Sequence, residues 1–345
     1  MTAKPRVWIS RPTFPDIVAR LDPYFEVVAE PREIVFPPAE LAAKIRDCDA
    51  VIVGLKERVG AAEVAGAARL RIVANLGVGY DNLDLAALTA AGIAASNTAG
   101  ALDESVADFT WAMLLGAARR MGEAERWLRA GQWQGTRFTD WLGMDVRGRT
   151  LGILGMGRIG QAVARRAVGF GMDVIYHNRS RLPQALESEC RARWVDKGEL
   201  LRLSDFLVLA LPLTPESRHA IGATELAQMK PTAVLANIAR GGIVDDGALA
   251  DALAQGKLAA AALDVFEGEP VVNPRLLELD NVLLSPHIAS ASPDARRGMT
   301  AMAVDNVLAL FGHGPHAGRP PTILNPEVLA AAGSNHPTPS QEQHP

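Results

Sequence analysis

Three short stretches late in the chain carry side chains suited to acid–base chemistry beside an anion. "NIARGGIVDD" presents Arg240 after an apolar run, followed by two glycines that relax the backbone. "DVFEGEP" presents Asp264, Glu267 and Glu269, and "LLSPHIAS" presents His287 after another apolar run. Hydride transfer to a 2-keto acid needs a cation for the substrate carboxylate and carbonyl, and a proton donor for the developing alkoxide. Arg240 suits the first need, because its planar fork matches a carboxylate. His287 suits the second, as the side chain whose charge changes near neutral pH. A carboxylate on the far imidazole nitrogen orients the ring and favours its charged form, and Glu269 is the candidate. Each residue also has a plainer reading. Arg240 could pair with a neighbouring carboxylate, Glu269 before Pro270 could be a solvated turn residue, and His287 after Pro286 could be a satisfied structural histidine. His313, His316, His336 and His344 read as surface or tail residues.

A second group points to a cofactor. "LGILGMGRIG" sets Gly155, Gly157 and Gly160 as G-x-G-x-x-G between an apolar strand-like run and the helical "QAVARRAVGFG". In that context Gly155 makes a tight turn, Gly157 lets the backbone approach a pyrophosphate, and Gly160 lets helix and strand pack closely. The helix N-terminus then meets the phosphates with free N–H groups. A glycine turn without a ligand is the alternative. About twenty residues on, a unit that prefers NAD places an acidic residue on the adenosine ribose. Here "VIYHNRSR" offers Asn178, Arg179, Ser180 and Arg181 instead. Asn178 removes the repulsion a carboxylate would exert on the 2′-phosphate of NADP. Arg179 and Arg181 can grip that phosphate through charge-assisted hydrogen bonds, and the Ser180 hydroxyl can donate to it. The stretch therefore selects NADP(H), with NAD(H) as the second cofactor and a solvated basic loop as the plain alternative.

These groups need elements to hold them. The first hundred residues alternate β runs, "RVWIS", "FEVV", "AVIVG", "RIVANLG" and "IAASN", with Ala-rich helical stretches, which argues for βαβ units and a parallel sheet. "ESVADFTWAMLLGAARR" then reads as a long amphipathic helix with Val106, Phe109, Met113 and Leu114 on one face and Arg119 and Arg120 at its C-terminus. A second βαβ series runs from "TLGILGMGRIG" through "MDVIYHN", "FLVLALP", "AVLANIA", "AALDVF" and "NVLLSPH". "SPDARRGMTAMAVDNVLALFG" closes it as another helix, with Ser292 as cap, Pro293 in the first turn, Gly312 past the end, and Met299, Met302, Val307, Leu310 and Phe311 at helical spacing. The fold class expected is α/β: two Rossmann-like domains with parallel sheets, two crossing helices, and a cleft between the domains. Residues 1–100 and 293–326 would form a discontinuous substrate-binding domain. Residues 101–292 would form the dinucleotide-binding domain with the long helix and a dimer arm, and 327–345, polar and Pro-rich at its end, a disordered tail.

The bulk properties exclude other classes. A chain of 345 residues suits two domains, and a net charge of −4 with scattered basic residues gives nucleic acid no stripe to bind. The start passes into a strand-like run without the pattern of a secretory signal, and no apolar run approaches a membrane span. The two cysteines, Cys48 and Cys190, indicate neither a disulfide framework nor a zinc site. No metal is expected, and the cytoplasm is the expected setting.

Together, "LGILGMGRIG", "NIARGGIVDDGALADAL", "AALDVFEGEP" and "NVLLSPHIAS" resemble the D-isomer-specific 2-hydroxyacid dehydrogenases, from about Arg6 to about Pro326. The resemblance implies that Arg240, Glu269 and His287 are the catalytic Arg, Glu and His. It implies that Asp264 holds the nicotinamide carboxamide and that the backbone of Leu76, Gly77, Val78 and Gly79 receives the substrate carboxylate. The cofactor-binding set is completed by Met156, Arg158 and Ile159 in the glycine turn and by Leu211, Pro212, Ile238, Ala239 and His287. A homodimer built from the long helix and the loop after it is also implied. "VGYDNLDLAALTAAGI", "RAGQWQG" and "DWLGMDVRGRTLGILGMGRIG" look most like the glyoxylate, hydroxypyruvate and 2-ketogluconate reductases, which commonly use NADPH. In some of them an aromatic residue of the partner's arm caps the pocket, and Trp141 resembles it. Glu269 stands where formate dehydrogenases carry Gln, which argues against them. The absence of a regulatory domain after Pro326 argues against a feedback-regulated phosphoglycerate dehydrogenase. Two alternatives remain open: a dinucleotide-sensing, corepressor-like regulator, and an NAD-dependent D-2-hydroxyacid dehydrogenase of another substrate.

Overall fold

A computed structural model describes residues 3–135 and 137–333. The chain divides into two compact units. One combines its beginning, through Leu102, with its end, from Ser292; the other is the continuous stretch Asp103–Ala291.

In the first unit five strands, β1 (Arg6–Ile9), β2 (Glu26–Ala29), β3 (Ala50–Val53), β4 (Ile72–Asn75) and β5 (Ala94–Ser96), form a parallel sheet in the order β2-β1-β3-β4-β5. Both faces are covered, so β3 and β4 are buried at every position; β3 reads as an unbroken apolar run, and β4 is apolar up to its last residue, Asn75. Ile17, Leu21, Phe25, Val304 and Val307 cover one face, and Leu41, Ile45, Val64 and Leu88 cover the other. The helix Pro293–Leu310 supplies Ala303, Val304, Val307 and Leu308 to this core. Its start is fixed by Ser292, whose hydroxyl accepts the Ala295 N–H at 3.2 Å. The expectation of an unstructured tail from residue 327 is corrected for its first part. Glu327–Gly333 is helical, in keeping with a run of Leu and Ala that are good helix formers. The rest of that tail, 334–345 with His336 and His344, lies outside the described residues.

The second unit holds seven parallel strands: β6 (Thr150–Leu154), β7 (Asp173–His177), β8 (Ala192–Trp194), β9 (Phe206–Leu209), β10 (Val234–Asn237), β11 (Ala260–Leu263) and β12 (Val282–Leu284). Their order, β12-β11-β10-β9-β6-β7-β8, reverses at β6 as in a doubly wound dinucleotide-binding sheet. The edge strand β8, "ARW", carries an arginine, is three residues long, and gives no period-two signal. The helix Asp103–Ala118 departs from the expected single stripe. Val106, Met113 and Leu114 are buried, but so are Ala107, Thr110, Trp111, Gly116 and Ala117, because small residues let neighbours approach from several sides. The Trp111 indole donates to the Val163 carbonyl at 3.1 Å and its ring stacks on Phe170. Arg119 and Arg120 fall just past the helix end.

Candidate active site

Because all seven strands of the second unit are parallel, their C-terminal ends share one edge, where open α/β sheets bind ligands. Asp264 to Glu269 leave β11 there, Ser285 to His287 leave β12, and Ile238 to Arg240 leave β10. His287 sits in the left-handed backbone region with φ 54°, a conformation that costs a non-glycine residue about 1–3 kcal/mol. Fully buried Asp264 clamps the loop around it. One carboxylate oxygen accepts the Ser285 hydroxyl at 2.6 Å and the Ile288 N–H at 2.8 Å; the other accepts the Ala289 N–H at 2.9 Å. The Asp264 carbonyl takes the His287 N–H at 2.9 Å.

The expected pairing of histidine and glutamate is present. His287 Nδ1 lies 2.8 Å from Glu269 Oε2, while Glu269 Oε1 accepts the Phe266 N–H at 2.9 Å. Both carboxylate oxygens are thus fixed and His287 Nε2 is left for another group. Burial alone would raise the Glu269 pKa. The His287 bond, the Phe266 N–H and the charges of His287 and Arg240 outweigh it and hold the carboxyl below its ordinary value. Arg240 donates from Nη1 to the Ala239 carbonyl at 2.8 Å, and its own carbonyl accepts Asn237 Nδ2 at 3.0 Å. Glycine at 241 is what lets this turn reach the Glu269 loop. A Cβ there would stand 1.7 Å from the Phe266 carbonyl oxygen.

Sequence reasoning missed a brace beside this pair. Glu267 accepts from Arg218 and lies 3.1 Å from His219 Nε2, and its N–H donates to Asp246 Oδ2 at 3.0 Å. The His219 N–H in turn bonds the Gly242 carbonyl at 2.7 Å. The loops carrying Arg240 and Glu269 are therefore tied to a third. Nothing in the spacing of Arg218, His219 and Asp246 announces that they converge.

The glycine turn fits a dinucleotide. Gly155 has φ 101°, and Gly160 passes so close that a Cβ would lie 2.4 Å from the Gly155 carbonyl oxygen. Gly157 precedes the helix Arg158–Ala167 and faces open space within 4 Å, which leaves room for a phosphate against the backbone. Met156 is buried, Arg158 exposed and Ile159 half-buried. Leu211 and Pro212 follow β9 by two and three residues. At the end of β7 no carboxylate stands in the ribose position. Asn178 Oδ1 accepts the Met156 N–H at 2.6 Å and so closes the turn. Arg179 and Ser180 are exposed.

Arg181 has a partner within its own unit. Its guanidinium forks onto Glu187 at 2.8 and 2.7 Å, and the nearly buried Glu187 carboxylate also accepts the Tyr176 hydroxyl at 2.7 Å. The Arg181 side chain remains 60% exposed, and Arg179 beside it is exposed as well.

Two further candidates are described within their own units. Leu76 to Gly79 follow β4 directly, the Leu76 N–H bonding the Val53 carbonyl at 2.7 Å. Trp141, in the second unit, packs against Trp127 of its own chain at 5.1 Å between ring centroids, under the Arg120 guanidinium.

Comparison with known proteins agrees with this geometry. The model of the D-isomer specific 2-hydroxyacid dehydrogenase NAD binding domain matches residues 111–289. The glyoxylate reductase of Thermococcus gammatolerans is 48% identical over 331 residues, 94% of this chain and 97% of that protein. Among solved structures, a glyoxylate reductase from Paecilomyes thermophila has a TM-score of 0.85 at 33% identity, covering 95% of this chain and 100% of that one. An NADPH-dependent glyoxylate/hydroxypyruvate reductase from Sinorhizobium meliloti, in complex with NADP and malonate, has a TM-score of 0.82 at 36% identity, covering 93% of this chain and 97% of that one. With these matches, the chain belongs to the D-isomer specific 2-hydroxyacid dehydrogenase family and is an NAD(P)-dependent oxidoreductase.

Proposed function

We propose that this protein reduces short 2-keto acids to D-2-hydroxy acids with NADPH, glyoxylate and hydroxypyruvate first and 2-ketogluconate after them. The observation that carries the reading is the 2.8 Å contact between His287 Nδ1 and Glu269 Oε2, with Arg240 charged beside the same carboxylate. The nicotinamide, when bound, supplies the hydride. Arg240 orients the keto acid through its carboxylate and carbonyl oxygen. His287, held by Glu269, gives the proton on Nε2 to the oxygen that becomes the hydroxyl. The Leu76 to Gly79 backbone is assigned the substrate carboxylate, Asp264 the carboxamide, and the exits at Leu211, Pro212, Ile238 and Ala239 the dinucleotide. The discontinuous unit is read as substrate-binding, the inserted one as dinucleotide-binding.

NADPH is preferred because Asn178 replaces a carboxylate and Arg179 faces outward, a choice in line with the NADP-bound relative. The engagement of Arg181 with Glu187 favours a second reading, in which NADH serves as well. A homodimer fits the arm. Met121, Leu128, Trp133, Phe138 and Leu142 are exposed within one short span, and Phe138 fully so. Trp141 would then act from the partner's arm. No helix among the described residues is long and apolar enough to cross a membrane, and the cytoplasm is the proposed location.

The test is absorbance at the nicotinamide band with each of the three keto acids, run with NADPH and with NADH. Fast NADPH oxidation with glyoxylate or hydroxypyruvate supports the reading. Equal rates with NADH sink the cofactor preference and spare the reductase, and no oxidation with any of the three sinks the substrate assignment.

A further inference from the structure

The turn after β4 is bonded on one side. The Gly77 carbonyl accepts the Thr98 N–H at 3.1 Å, the Val78 carbonyl accepts Asn97 Nδ2 at 2.9 Å, and the Gly79 carbonyl accepts Asn75 Nδ2 at 2.8 Å. The N–H groups of the same three residues donate to no described residue. Gly77 is buried and the other two are half-buried. Covered backbone donors are rarely left unpaired, and successive free N–H groups in a turn make a concavity for an anion.

Of the three fasteners, Asn75 belongs to the sheet itself. It is the last residue of β4 and is fully buried, a position where an apolar side chain would pack as well and where an amide is costly unless its atoms are bonded. Its Oδ1 accepts from Asn82 Nδ2 at 3.1 Å. The same Nδ2 lies 3.1 Å from the Gly54 carbonyl and 3.0 Å from the Glu57 carbonyl, so its two hydrogens tie the exits of β3 and β4 together. Glu57, 2% exposed, secures the base of this network. Its Oε2 accepts the Gly54 N–H at 2.7 Å, the Ser10 hydroxyl at 2.9 Å and Arg11 Nη2 at 2.8 Å. A Cβ at Gly54 would stand 1.9 Å from the Arg11 guanidinium carbon, so a larger residue would displace Arg11 from Glu57.

We propose that Asn75, braced by Asn82 and Glu57, is a positioning residue that sets the affinity of the Gly77 to Gly79 amides for the substrate carboxylate. This rests on the reading of that turn as the carboxylate receiver and deepens it. Asn75 acts through the Gly79 carbonyl, which it holds back so that the amides keep one arrangement before the anion arrives. The consequence is a preorganised site whose loss weakens binding and spares chemistry.

Asn75→Asp is close in shape and keeps the acceptor for Asn82, but removes the donor to Gly79; Asn75→Ser withdraws the side chain from Gly79 by shortening it, without adding charge. Both are assayed with NADPH and glyoxylate, and by calorimetry for oxalate binding to the NADPH-saturated enzyme. The expected result is a rise of about tenfold in KM and in the oxalate Kd, the effect of one lost hydrogen bond, with kcat and the NADPH Kd within about twofold of wild type. The Asn75→Asp KM should recover as pH falls, since a protonated carboxyl donates again. A merely structural role predicts instead that Tm, kcat and NADPH affinity fall together. Folded variants with unchanged KM and oxalate Kd overturn the proposal, as does that uniform loss. Should the Asn75 variants not fold, Glu57→Gln carries the test, with the same split at smaller size expected and an unchanged oxalate Kd overturning it. A wild type that binds oxalate without turnover sinks the reductase reading alone, and the oxalate comparison still decides on Asn75. A wild type that does neither overturns both.

Discussion

Replacing Glu269 by Gln keeps the side-chain length and an oxygen for the Phe266 N–H, and removes the charge that faces His287. The bond at stake spans 2.8 Å between partners whose side chains are 31% and 33% exposed. Hydrogen bonds to charged groups contribute about 1.5–3 kcal/mol, and partial exposure argues for the lower half of that range. At about 1.4 kcal/mol per factor of ten, kcat should fall roughly 10- to 30-fold, with a much smaller change in KM. His287→Ala should cost more, about 10²- to 10⁴-fold, because it removes the proposed proton donor itself. The assay is steady-state NADPH oxidation at saturating keto acid. Stability adds a check on sign. The folded carboxyl is held below its ordinary value of 4.5, so its ionised form contributes fully above that value and the contribution is lost as pH falls through the lower folded value. The Tm gap between wild type and Glu269→Gln should therefore close as pH falls below 4.5 through the lower folded value. A Glu269→Gln enzyme with wild-type kcat, beside an inactive His287→Ala, would refute the claim that Glu269 works through His287.

Other substitutions separate roles that look alike in sequence. Arg179→Ala should raise the NADPH KM by about tenfold and leave that for NADH alone, whereas Arg181→Ala should lower Tm by stranding Glu187 and leave the NADPH KM nearly unchanged; the reverse pattern overturns the assignment. Burial raises the Asp246 pKa, so this carboxyl costs stability as pH rises from its ordinary 3.8 through the folded value. Asp246→Asn, which keeps an acceptor for the Glu267 N–H, should raise Tm at neutral pH, with the gain vanishing below 3.8. If a second copy covers the arm, Phe138→Asp combined with Trp133→Ser should shift the mass measured by light scattering to that of one chain, and an unchanged mass would remove this face from the interface.

Much of the scaffold was legible because burial writes itself into composition. β3, "AVIV", is covered on both faces and so is apolar throughout, and β10, "VLAN", is apolar up to Asn237 at its exit. The candidate set Arg240, Glu269 and His287 was legible because each member follows a strand at the same edge. Other features had no local sign. β8 is short and charged, and the helix Asp103–Ala118 hides its burial behind alanine and glycine, which mark no stripe. The left-handed backbone at His287 is enforced by Asp264, more than twenty residues earlier, and not by a glycine. The ion pair of Arg181 was hidden for a related reason. Its partner Glu187 is an ordinary helix residue in sequence, and only the Tyr176 hydroxyl beside it makes that carboxylate a fixed destination.

The discontinuity of the first unit also governs how the chain is made. A nascent polypeptide released only as far as Ala291 already contains every strand of the seven-stranded sheet, while the five-stranded sheet still lacks Ala303, Val304, Val307 and Leu308 over one face. Domains emerging from the ribosome fold as units, so the inserted one can mature while its host keeps an apolar flank uncovered. The host closes only when the Pro293–Leu310 helix arrives. During synthesis this interval is the window in which chaperone binding or aggregation should concentrate on Ile52 of β3 and Ile72 of β4, the strands on which that helix later packs.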